Sequence, residues 1–92
     1  MSEMNVYDIP DSMTLKLRSP IELAGQTTFV LELREPTVAE LQRFNKEVNR
    51  EDVISALKLL ISSMSGVDVA TIDRIGARDF KKAEKYLTNF FE

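Results

Sequence analysis

Histidine and cysteine are both absent from the 92 residues. Without them the usual general base, the usual partner of an activated nucleophile and the soft metal ligands are missing. Carboxylates, lysines, tyrosines and hydroxyls are all that remain for chemistry. No disulfide framework can form, which fits a reducing compartment. A positive surplus is lacking too: 12 Lys and Arg stand against 15 Asp and Glu, a net charge of −3. A small nucleic-acid-binding domain usually carries a basic excess or stripe. No apolar run approaches the ~20 residues that span a bilayer, and Met1 to Asp11 holds three acids and no Lys or Arg, unlike a signal peptide. The glycines are isolated at positions 25, 66 and 76, so no loop can cradle phosphate. Asp68, Asp73 and Asp79 lack EF-hand spacing and read as caps and solvated surface. No catalytic residue, metal site or cofactor is expected.

What is present is an ordinary globular composition, 43% apolar and 29% charged. One stretch organises it, Leu31-Glu-Leu-Arg-Glu-Pro-Thr-Val-Ala-Glu-Leu41. Phe29, Leu31 and Leu33 alternate with Val30, Glu32 and Arg34, the period of two of a half-buried strand. Val38, Leu41, Phe44 and Val48 then fall on one side of a helix, opposite Glu40, Arg43 and Glu47. Pro36 disfavours helix at Glu35, Thr37 can accept from the free amides that follow, and Glu40 can reach back to close a capping box. Everything before this junction reads as β and everything after it as α.

Residues 1–12 lack a sustained period and read as a flexible arm. Leu15, Leu17, Ile21 and Leu23 form one apolar face, interrupted at Ser19-Pro20, where pairing must bulge or lie at an edge. Ala24-Gly25-Gln26 is the turn, with Gly25 supplying a positive φ, and Phe29, Leu31 and Leu33 complete the face on the return strand. After a first helix over about 38–48, Asn49 marks a break and Glu51-Asp52 open a second helix. There Val53, Ile54, Leu57, Leu60, Ile61 and Met64 share a face, with Leu59 on the other side. Gly66 caps that helix. Asp68 caps a short third helix, which Gly76 ends. The last helix spans about 77–91, with Phe80, Ala83, Tyr86, Leu87, Phe90 and Phe91 on its apolar face and Lys81, Lys82 and Lys85 opposite.

The apolar surplus can close a core or meet a partner. Tyr86, Leu87, Phe90 and Phe91, together with Leu59, are the candidate partner-binding residues, since a small domain exposes a contiguous apolar patch mainly where something binds. Lys81, Lys82 and Lys85 read first as a solvated helix face; the alternative function they suggest is a small nucleic-acid-binding regulatory protein.

Leu15-Lys-Leu-Arg-Ser-Pro-Ile-Glu-Leu23, Leu31-Glu-Leu-Arg-Glu-Pro-Thr37, Ser65-Gly66-Val67, Ile72-Asp-Arg-Ile75 and Ala77-Arg-Asp-Phe80, in this order, resemble the phage tail assembly chaperones of the Mu-like, contractile-tailed group. The likeness covers roughly residues 13 to 91, and its Leu-Arg-Glu-Pro-Thr element is the most specific part. The resemblance implies a protein that is not an enzyme, made from a phage or prophage in the host bacterial cytoplasm. It implies binding of the aggregation-prone tape measure protein, which is kept soluble until the tail tube assembles around it. A longer form of the chain made by a programmed frameshift is a further partner the resemblance implies; self-association is expected from the apolar surface itself. The polar arm and the Phe90-Phe91 ending depart from many members.

The expected fold is α+β: an N-terminal antiparallel β-hairpin over 13–34, then a small bundle of three to four helices over 37–92, all in one domain, 13–92.

Overall fold

A computed structural model describes residues 8–91. Strand β1 spans Ser12–Leu23 and pairs antiparallel with β2, Gln26–Arg34. Helices α1 (Val38–Arg50), α2 (Val53–Ser65), α3 (Val69–Ile72) and α4 (Ala77–Thr88) follow. This is the α+β architecture that the change of period at Pro36 predicts.

The hairpin has two registers. From its open end Met13 faces Leu33, Leu15 faces Leu31 and Lys16 faces Val30; beyond a shift, Ile21 faces Thr28 and Leu23 faces Gln26. Residues 17–20 of β1 therefore stand opposite the single residue Phe29. Pro20, which has no N–H to give a ladder, falls inside this bulge. The two-residue loop has both φ angles positive, 52° at Ala24 and 80° at Gly25, the backbone of a type I′ turn. Gly25 takes that conformation as expected, and Ala24 shares it without a glycine's freedom.

Leu15, Leu17, Leu31 and Leu33 are buried and form the hairpin's contribution to the core. The uniform apolar face expected along both strands is corrected at Phe29, which is 59% exposed. The bulge breaks the cross-strand pairing there, so the alternation continues in β2 while the cover does not. α2 lies against β2, whereas α3 and α4 lie against β1. α2 contributes Ala56, Leu57, Leu60, Ile61 and Met64; Ile72 of α3 and Ala83, Tyr86 and Leu87 of α4 complete the interior.

The helix ends follow the sequence closely. Thr37 and Glu40 close a full capping box on α1. Asp52 caps α2 by accepting from the Ser55 N–H at 2.7 Å, and Gly66 ends it in the left-handed region at φ 75°. Four expectations change. α1 runs on to Arg50, past the break expected at Asn49, and α4 ends at Thr88, with Phe90 and Phe91 beyond it. Gly76 does not end α3, which stops at Ile72; it is the N-cap of α4. Asp68 occupies the α3 cap position, but its side chain accepts no backbone hydrogen bond there; its carbonyl accepts from the Thr71 and Ile72 N–H groups.

Of the arm expected over residues 1–12, the first seven lie outside the described residues. The rest is tied down. Ile9 is buried in the core cluster, Pro10 O accepts from the Tyr86 hydroxyl at 2.8 Å, and Asp11 O accepts from the Glu35 N–H at 3.2 Å.

Candidate functional site

Glu40 fixes the geometry around which the candidate surface is built. Its carboxylate accepts from both terminal nitrogens of Arg34, at 2.9 and 2.7 Å, and from the Thr37 N–H at 2.8 Å. Ser63 on α2 donates to it at 3.0 Å. One side chain thus joins the end of β2, the start of α1 and the far end of α2. The Arg34 guanidinium is the largest cause that holds the Glu40 carboxyl at about 2, below its ordinary 4.5. The two-residue connection Glu51–Asp52 returns α2 alongside α1, with Glu40 beside Ser63.

Between the two helices runs an open groove of about 150 Å³. Phe44 lines it from α1, and Ala56, Leu59 and Leu60 from α2, with Glu40, Arg43, Glu47 and Ser63 adding polar lining. Leu59 is 42% exposed, although Ala56 and Leu60 beside it are buried. On Phe44 stacks Phe91, with ring centroids 4.6 Å apart and planes inclined by 24°. The residue that follows α4 by three positions therefore reaches α1. Burial here comes from partial covers: α1 has no fully buried residue.

The five candidate partner-binding residues separate into two groups. Leu59 is exposed in the groove wall, and Phe91 meets that groove through Phe44. Phe90 is half-buried and lies edge-on to Tyr86, at 5.5 Å and 83°. Tyr86 and Leu87 belong to the core cluster, 5% and 0% exposed. The reason is the helical period: Ala83, Tyr86 and Leu87 share the stripe that α4 turns inward. The Tyr86 hydroxyl is satisfied by Pro10 O, and burial, with the Glu35 and Asp11 carboxylates, raises its pKa above the ordinary 10.0.

Other exposed apolar residues escaped the sequence reading. Val53 and Ile54 sit at the start of α2 on the face expected to be covered, yet both are about half exposed, and Val38 is 82% exposed. Ile54 lines a second shallow groove with Ile72, Ile75 and Phe80, crossed by the Lys58–Asp73 ion pair at 2.7 Å. Lys81, Lys82 and Lys85 are exposed, as expected of the outer face of α4.

Among the described residues no group of three or more His, Cys, Asp or Glu could hold a metal ion. Asp79 is the exception to the solvated character of the acids. It is 3% exposed, and one oxygen accepts from the Arg18 N–H at 3.0 Å while the other has no partner among the described residues. No described helix is long and apolar enough to cross a membrane.

No curated protein matches the chain, and no solved structure does. A family profile described as phage tail assembly chaperone proteins, E, or 41 or 14, matches residues 14–92, which takes in the hairpin, the Arg34–Glu40 junction and all four helices. The chain belongs to this family of phage tail assembly chaperones.

Proposed function

We propose that the chain binds the tape measure protein of a phage or prophage tail and keeps it soluble until the tail tube assembles around it. It works by reversible contact and not by catalysis, in the cytoplasm of the bacterial host. Self-association, and association with a C-terminally extended form of the same chain, belong to this reading. The observation that carries it is the α1–α2 groove, which the exposed Leu59 and Phe44 line together, with Phe91 stacked on Phe44, on a domain of this family. An apolar strip with polar edges suits the apolar stripe of an amphipathic client helix. The surrounding charge of a chain at −3 favours solubility of the loaded complex.

Co-expression tests the reading. With the wild-type chain the tape measure protein is expected in the soluble fraction. Leu59→Asp, a change at an exposed position, is expected to return most of it to the pellet while the chaperone itself stays folded and soluble. Equal solubility of the tape measure protein with and without the chaperone rules the reading out.

A further inference from the structure

A two-stranded sheet has two edges, and here they differ. The β1 edge carries the devices that blunt strand addition: Lys16, Arg18 and Pro20, with a bulge between Lys16 and Ile21 and the Arg18 N–H occupied by Asp79. β2 has no proline, no lysine and, among the described residues, no amide taken by a side chain. Its nine residues, Gln26–Arg34, contain no Pro, Gly or Lys, and its only charges lie near one end, at Glu32 and Arg34. Among the described residues, β1 alone makes backbone hydrogen bonds to it. Phe29 and Val30, side by side at its middle, are 59% and 39% exposed.

From these observations we infer that β2 is a self-pairing edge, joined antiparallel to β2 of a second copy about a two-fold axis at Val30. This rests on the self-association included in the proposed function and gives it a surface; the client reading is independent of it. Period two requires that facing residues share one side of the sheet, so the centre of such a pair must be a residue. Val30 is the midpoint of Gln26–Arg34 and gives the full overlap. In that register Arg34 faces Gln26 of the other copy, Glu32 faces Thr28, Phe29 faces Leu31 and Val30 faces itself. No like charges are opposed, and this favours a second copy as the occupant. A register centred on Glu32 would set two carboxylates against each other, which is destabilising. The exposed Phe29 ring comes beside a leucine that its own copy already buries. The arrangement closes on itself as an isologous dimer with four strands.

Charge at the centre tests the register. Val30→Glu places an acid beside Lys16 of its own hairpin, a compatible cross-strand pair, but against an identical acid across the axis. Light scattering on the full chain should give twice the 10.5 kDa chain mass for the wild type and the single mass for Val30→Glu. Mixing Val30→Glu with Val30→Lys should restore the doubled mass. Thr28→Arg, set opposite Glu32 of the other copy, should tighten association and serves where Val30→Lys fails to fold beside Lys16. A wild type that stays single at every concentration overturns both this pairing and self-association. A wild-type dimer that Val30→Glu leaves intact overturns the pairing alone. Dimerisation that requires removal of residues 1–7 also overturns it, because the chain's own N-terminus then occupies the edge.

Discussion

The backbone N–H of Arg18 donates to the carboxylate of Asp79 across 61 positions of sequence, at 3.0 Å. It ties the irregular part of β1 to the first turn of α4. The bulge leaves this amide without a strand partner, and the side chain supplies one. Asp79 also stands where the helix dipole favours negative charge. Asp79→Ala is therefore expected to destabilise the fold by about 1–3 kcal/mol, the cost of a buried donor left without an acceptor. Asp79→Asn keeps an acceptor oxygen and should lose less. Urea unfolding of the two variants checks the order.

Glu40 makes stability depend on pH in a definite direction. Its carboxyl is held at about 2 in the folded chain, below the ordinary 4.5, so the unfolded chain takes up the proton first as pH falls. The contribution is fully present above about pH 5 and is lost as pH falls through about 2. Glu40→Gln should cost roughly 1 kcal/mol at neutral pH, a modest figure because Arg34 is half exposed. The gap between wild type and variant should close toward pH 2. Chemical unfolding at pH 7 and pH 2.5 measures it; a gap of equal size at both contradicts the assignment.

Ala24 holds φ at 52° in the hairpin loop. A side chain without local hydrogen bonding pays for the left-handed region, and asparagine or glycine pays less. Ala24→Asn is expected to raise stability by about 0.5–1 kcal/mol, read as a higher melting temperature.

The Phe44–Phe91 stack is the main aromatic hold on a helix that has no fully buried residue. Phe91→Ala should cost about 1–2 kcal/mol. Its signature is local: amide hydrogen exchange in residues 38–50 should quicken more than in α2, which buries five residues of its own.

How much of this was legible in the sequence depends on the range of the cause. The capping box at Thr37 and Glu40, the cap at Asp52 and the left-handed Gly66 are local matters, and each stands where its residue type requires. The stripe on α4 was visible in its period, but whether it met the hairpin or a partner was not. Periodicity marks an apolar face without naming what covers it, so it does not tell that Tyr86 and Leu87 lie in the core. The exposure of Phe29 follows from a register shift in the other strand, which the alternation of β2 does not carry. The groove needed two helices set side by side; the short Glu51–Asp52 connection was the one signal for it. Nothing local marks Asp79 as the acceptor for Arg18.

The central claim is that the α1–α2 groove receives the tape measure protein. Hydrogen–deuterium exchange on the purified complex tests it most directly. Residues 40–47 and 56–63 should gain protection on binding, with little change along the outer face of α4 at Lys81, Lys82 and Lys85. Binding that leaves the groove amides unchanged, or that protects only the lysine face, contradicts the account.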